Sequence, residues 1–299
     1  MARATVMAGG IRGEAGGRQL VSQRQRALRT FAKNRTAVVG LTLILLLLLI
    51  AVFAPWIAPY DPLAQDIPAR LQPPSDAHWL GLDDRGRDIL SRVIFGTRIA
   101  LLVGFFSVLL GGVVGTAIGV IAGYFGGKVD AVLMRLTDVL LAFPELITGL
   151  LVLAVLGPGL EKMIIAIGLT IAPRFARIAY GPTLALKGKE FIEAARAIGT
   201  KDGQIVRSHI LPNVAGDLLV FASLWTASAI RLEASLSFIG LGVPLPTPTW
   251  GQMIREGTVH LTVVPLYSLA PGLALLLAVL AFNLVGDGFR DALDPKSRA

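Results

Sequence analysis

Glu193-Ala194-Ala195-Arg196-Ala197-Ile198-Gly199, followed by His209-Ile210-Leu211-Pro212, forms a basic island between long apolar segments. From Glu190 to Ile198 the apolar residues Phe191, Ala194, Ala195 and Ile198 recur at helical spacing on one face. Ala194 and Ala195 are small enough to let another surface come close. Gly199 follows where a helix end wants a residue able to take positive φ. A polar turn, Thr200-Lys201-Asp202-Gly203, leads to a second helical run in which Ile205, Val206 and His209 repeat the spacing. Pro212 is expected to end that run, because it has no N–H to continue the helix. Two short helices hinged at a glycine and tied to apolar segments at both ends make a compact knob. Glu193 is its most useful charge for fixing register against a partner. The same tethering excludes a helix-turn-helix reader of DNA, which must reach a groove freely.

The rest of the chain places this knob at a bilayer surface. Of 299 residues 54% are apolar and 16% charged, with mean hydropathy +0.68, whereas soluble domains average about 25% charged residues. Cysteine is absent, which removes thiolate catalysis, disulfides and Cys-based metal sites. The formal charge of +8 does not imply nucleic acid, because Lys and Arg gather in alternate loops between apolar segments. Ala37–Ala58 carries no charge and is longer than the roughly 7–15 apolar residues of a signal peptide, so it reads as a retained span. Residues 1–25 are rich in Gly, Arg and Gln without apolar period and read as a disordered tail.

Six spans are expected, in an all-α polytopic protein. Ala37–Ala58, a segment within Ile99–Gly127, and Pro265–Gly286 are plain. Leu136–Leu156, Met163–Ala179 and Val214–Gly240 are interrupted by ionisable residues and are expected to turn them toward protein or water. With the N-terminus inside, the tail to Arg35, the 124–136 and 173–213 loops and the C-terminal tail hold 20 of the 28 Lys and Arg, so both termini are expected in the cytoplasm. The divisions are then a tail (1–36), a first span (37–58), an extracytoplasmic segment (59–98), a five-helix core (99–286) containing the 181–213 loop, and a cytoplasmic tail (287–299). The outer segment holds Asp61, Asp66, Asp76, Asp83, Asp84 and Asp88 and is expected to end in an amphipathic helix near Asp88–Thr97.

Within the second span Gly111, Gly115, Gly119, Gly123 and Gly127 recur every fourth residue, a groove for close helix packing. In span three Asp138 and Glu145 lie seven residues apart, nearly on one face, with Arg135 one turn before Asp138. They are candidates for the translocation path, where a carboxylate could meet a substrate amine, or for interhelical pairing. Arg231 and Glu233 in span five read as structural. His78 with Asp83, Asp84 and Asp88 is too sparse a donor set to argue a metal. No catalytic residue is assigned: there is no Gly-x-Ser-x-Gly nucleophile setting and no His pair at metal spacing. Gly188-Lys189 is followed by Glu190, and Thr183 stands where a phosphate-cradling loop needs Gly. The chain is therefore expected to bind no nucleotide or other cofactor.

The knob resembles the EAA coupling loop of importer-type ABC permeases. Further stretches are similar to the second-permease subfamily of dipeptide, oligopeptide and nickel importers: His78-Trp79-Leu80-Gly81-Leu82-Asp83, Gly123-Tyr124-Phe125-Gly126-Gly127, Leu141-Ala142-Phe143-Pro144, Leu156-Gly157-Pro158-Gly159, Glu233-Ala234-Ser235-Leu236-Ser237-Phe238, and Leu293-Asp294-Pro295. Departures are Leu82, His209, Pro173-Arg174 and Arg231, the last an uncommon charge in span five. The resemblance implies a type I importer permease fold in a prokaryotic inner membrane. It also implies a homologous second permease, two cytoplasmic ATPase subunits that bind ATP and Mg, and an extracytoplasmic solute-binding protein. It assigns ATPase coupling to Glu190, Glu193, Ala194, Ala195, Gly199, His209, Leu211 and Pro212. Nickel complexes and glutathione-like molecules remain alternative cargoes to peptides. An ion-coupled secondary transporter would instead use Asp138 and Glu145 directly, but no internal repeat of the kind such folds carry is evident.

Overall fold

A computed structural model describes residues 30–293; the expectations for residues 1–25 and for the last six residues lie outside that range. Helix α1 (Arg35–Ile57) begins where Asn34 accepts hydrogen bonds from the amides of Thr36 and Ala37, satisfying donors that a helix start leaves free. Helix α2 (Ile89–Phe125) starts at Asp88, whose carboxylate accepts from the Ser91 amide at 2.8 Å. The expected amphipathic helix is thus the first turns of span two, not a separate element. Then follow α3 (Gly127–Leu141), α4 (Glu145–Leu156), α5 (Leu160–Lys187), α6 (Glu190–Ala197), α7 (Asp202–Ile239), α8 (Trp250–Thr258) and α9 (Leu266–Leu293).

Among the described residues five helices are long and apolar enough to cross a membrane, and six spans result when α3 and α4 count as one broken span. That break corrects the sequence reading of a continuous Leu136–Leu156 span. The axis turns by 99° between α3 and α4 because Pro144 cannot extend α3 and biases Phe143 away from helical backbone. Span four also starts earlier and ends later than Met163–Ala179: Pro173 and Pro182 lie inside α5. Arg174 and Arg177 therefore belong to a membrane-length helix and not to a surface loop.

The most extensive helix contact joins α2 to α5, and glycine makes it possible. A Cβ at Gly111 would come within 2.5 Å of the Gly168 carbonyl oxygen, and one at Gly115 or Gly119 would overlap the carbonyls of Ala172 and Ala176. Gly123 faces Thr183 and the Tyr180 carbonyl. The two backbones approach as closely as small-xxx-small packing permits. Gly127 leaves the stripe: at φ +58° a Cβ there would meet nothing within 4 Å, and the residue opens α3. Around this seam Val103, Val108, Ile167, Ile171, Phe175 and Leu236 form the main apolar core.

At one end of the bundle the 59–88 segment folds onto α2, α8 and α9 through buried charges. Arg87 Nε donates to Asp83 Oδ2 at 2.6 Å, and Arg92 Nε stands 3.3 Å from the same oxygen. Arg87 also reaches Glu256 at 3.6 Å, and the Tyr267 hydroxyl donates to Glu256 at 2.7 Å. His78 Nδ1 lies 3.0 Å from Asp88 Oδ1, so this histidine holds the helix start. Trp250 of α8 is buried, its indole N–H donating to the Val93 carbonyl at 3.0 Å across the opening that Gly96 leaves.

Two outcomes test this packing. Gly119→Leu is expected to destabilise the protein by at least about 1–3 kcal/mol, the range for overfilling a close-packed site; an unchanged melting temperature in detergent would contradict the seam. Asp83→Asn breaks a buried pair and is expected to cost about 3–5 kcal/mol, read as faster proteolysis within residues 59–88.

Candidate functional site

At the other end of the bundle α6 and the start of α7 build the knob. Helix α6 ends in a paired reverse turn: the Gly199 amide donates to Arg196 O at 2.9 Å and the Thr200 amide to Ala195 O at 3.0 Å, with Gly199 at φ +82°. This satisfies the last helical carbonyls and requires the left-handed backbone that glycine adopts without strain. Ile192 and Ala195 are buried with Ile205, Ile210 and Val214 against Val120, Tyr124 and Ala179. The inward face is thus Ile192/Ala195, which corrects the expected grouping of Phe191, Ala194, Ala195 and Ile198. Phe191, Ala194 and Ile198 point outward at i, i+3 and i+7, and Ile198 is 83% exposed. Glu190 and Glu193 are exposed beside them.

The second helix is not short. It runs from Asp202 into the membrane-length α7, with a wider turn at Val206–Ile210 in which the Leu211 amide bonds Val206 O. Pro212 therefore does not end the run as expected. Its missing donor is accommodated one turn into the helix, next to that i→i+5 turn, and the Asn213 side-chain amide donates to His209 O at 2.6 Å. Leu211 and Pro212 are exposed, and the His209 ring lies 6.1 Å from that of Phe191. Three residues outside the expected set anchor the knob: the Tyr124 hydroxyl donates to Asp202 Oδ1 at 2.6 Å, and the Arg196 guanidinium sits 5.1 Å above the Tyr124 ring.

The second candidate constellation is a row of polar contacts between α5 and the bent pair. Arg174 of α5 meets Glu145 at 3.4 Å, Arg177 pairs with Asp138, and the Tyr180 hydroxyl donates to Asp130 at 2.9 Å. Residues three apart share a helix side, so α5 presents its row to acids from both arms of the bend. Asp138 and Glu145 sit on opposite sides of the 99° turn, not on one face of a continuous helix, and Asp138 pairs with Arg177 rather than Arg135. Glu145 has a second partner: Arg231 of α7 donates to Oε1 at 3.2 Å. Glu233, two residues on, is buried and accepts from Ser237 at 2.7 Å. The sequence signal for this cluster was the spacing of Arg174, Arg177 and Tyr180, hidden once both arginines were counted with the 173–213 loop.

Between α2 and α7 an apolar cavity of about 850 Å³ opens to the exterior, lined by Phe105, Val113, Phe175, Leu219 and Ser223 among others. A bundle of membrane-length helices with an open apolar flank, a charged centre and an exposed knob at one end is a multi-pass transport subunit. Comparison with known proteins makes the class specific. Residues 115–299 match the family described as binding-protein-dependent transport system inner membrane component, and residues 22–74 match the N-terminal TM domain of oligopeptide transport permease C. A glutathione transport system permease protein GsiD of Pectobacterium atrosepticum is 44% identical over 272 residues, covering 91% of this chain and 90% of that one. A dipeptide transport system permease protein DppC of Alkalihalophilus pseudofirmus is 42% identical over 279 residues, covering 93% and 92%. A chain of the inward-facing MetNI methionine ABC transporter has the same fold, with TM-score 0.58 and 20% identity over 69% of this chain and 98% of that one.

The chain belongs to the binding-protein-dependent inner-membrane transport components, in their dipeptide/oligopeptide permease C-like branch. It is a multi-pass inner-membrane permease subunit of an ABC importer, a transport component and not an enzyme.

Gly199→Val places a β-branched residue at φ +82°. It is expected to loosen the α6–α7 turn by about 1–2 kcal/mol, seen as faster amide exchange across residues 190–205. Unchanged exchange would contradict the turn's dependence on glycine.

Proposed function

We propose that this chain forms half of the translocation pore of an ATP-driven importer for di- and oligopeptides and related small peptides such as glutathione. The single observation that carries the reading is that dipeptide and glutathione permeases both match about nine-tenths of the chain at over 40% identity. Both solutes are short zwitterionic peptides, so a peptide backbone with free charged ends is the common chemistry.

Energy enters through the knob. Two cytoplasmic ATPase subunits bind ATP and Mg, and the outward face of α6 with Leu211 and Pro212 docks on one of them. Phe191, Ala194 and Ile198 supply an unpartnered apolar contact and Glu190 and Glu193 its charges. Nucleotide-driven closure of the ATPases displaces α6. The continuity of α7 from Asp202 to Ile239 supports a rigid-body transfer of that displacement to the pore. A homologous second permease covers the open α2–α7 flank, and an extracytoplasmic binding protein delivers solute to the 59–88 end. The charge bias of the loops supports a cytoplasmic position for both termini and the knob.

The test is uptake into vesicles containing the assembled importer. Wild type is expected to accumulate dipeptide only with ATP. Glu193→Lys is expected to lower uptake about tenfold or more, the weight of one charged interfacial contact, while the complex still assembles. Wild-type uptake in that variant would remove Glu193 from the coupling surface. Uptake sustained by a proton gradient after ATP depletion would favour an ion-coupled transporter.

A further inference from the structure

Arg174, Arg231 and Glu145, all part-exposed, form a charge cluster that has one cation more than it has anions. At 1.5 Å per residue, Arg231 lies about 12 Å from the end of α7 at Ile239, Glu145 about 17 Å from the end of α4, and Arg174 about 21 Å from the start of α5. With those helix ends at one face of a hydrocarbon layer about 30 Å thick, all three fall in its middle part. Glu145 bridges both guanidiniums, 3.4 Å from Arg174 and 3.2 Å from Arg231. Arg174 is further held 4.7 Å above the Trp225 ring, which packs on Phe221 and through it on Phe175.

Arg231 has no such backing. It remains 59% exposed although its one carboxylate partner among the described residues is already shared. A guanidinium turned to lipid at this depth is costly, so its free side faces water or another polar surface, which in a half-pore is the solute path. Glu233 does not neutralise it: two residues along a helix rotate the side chain by about 200°, and Glu233 is buried against Ser237. The planar guanidinium leaves donors suited to a two-oxygen anion.

We propose that Arg231, backed by Arg174 and held by Glu145, is a carboxylate-binding station in the translocation path, engaging the free C-terminal carboxylate of a peptide-like solute. The assignment deepens the peptide-import reading and rests on it for the identity of the solute. Of the two readings the sequence left open for Glu145, a substrate amine or interhelical pairing, it takes the second: with two arginines on its oxygens, Glu145 orients cations and leaves an anion as the missing partner. One shared carboxylate keeps the site weakly cationic, so a passing solute is held and then released.

The test uses the complete importer in nanodiscs treated with phenylglyoxal, which modifies arginine, with modification at Arg231 followed by mass spectrometry. Alanyl-alanine is expected to slow modification of Arg231 about tenfold, as one charge-assisted contact implies, and its C-terminal amide to change the rate less than about twofold. Glu145→Gln, which frees both guanidiniums, is expected to lower the alanyl-alanine concentration needed for protection. Equal rates with and without alanyl-alanine, or equal protection by the amide, would overturn the station. Uptake by the same complex separates the two readings: lack of alanyl-alanine uptake defeats peptide import, whereas protection at Arg231 decides the carboxylate site.

Discussion

The close approach of α2 and α5 sets the geometry on which everything else depends. Because Gly111, Gly115, Gly119 and Gly123 offer no side chains, the carbonyls of Gly168, Ala172 and Ala176 sit where Cβ atoms would otherwise be. Helix α5 is thereby fixed on one side against α2. On another side it presents Arg174 and Arg177 to the acids of the bent α3–α4 pair. In lipid there is little hydrophobic drive to bring helices together, so backbone packing and polar pairing carry the association. One helix thus uses both, and its register decides which charges meet.

The same seam ties the knob to the centre of the bundle. Tyr124, the residue after the last packed glycine, holds Asp202 and Arg196 at the knob's base. From Asp202 a single helix runs to Ile239, past Arg231. A displacement of α6 therefore has a short, stiff route to the charged centre, through helices and not through loops. The wide turn at Val206–Ile210 is the one irregular segment on that route, and Pro212 explains why it occurs there.

Much of this was legible in the sequence, for identifiable reasons. Ala37–Ala58 has no charge to dispute, and the glycine period in α2 admits one packing explanation. Gly199 was readable because its position after an amphipathic run has one backbone solution. Prolines misled in both directions. Pro144 broke a span read as continuous, while Pro212, read as a limit, lies inside a helix. The backbone groups a proline frees can be satisfied by neighbouring helices or wider turns, and local sequence does not reveal that compensation. The pairing of Asp138 with Arg177 and of Glu145 with Arg174 and Arg231 was out of reach for a similar reason. It needs the angle between α3 and α4 and the seating of α5, both tertiary facts.

The account treats this permease as passive until another subunit moves its knob. The most direct measurement is solute flux into sealed vesicles holding this chain and its companion permease, with and without the ATPase subunits. The account predicts accumulation against a gradient only when the ATPases and ATP are both present. Accumulation by the permeases alone would contradict it.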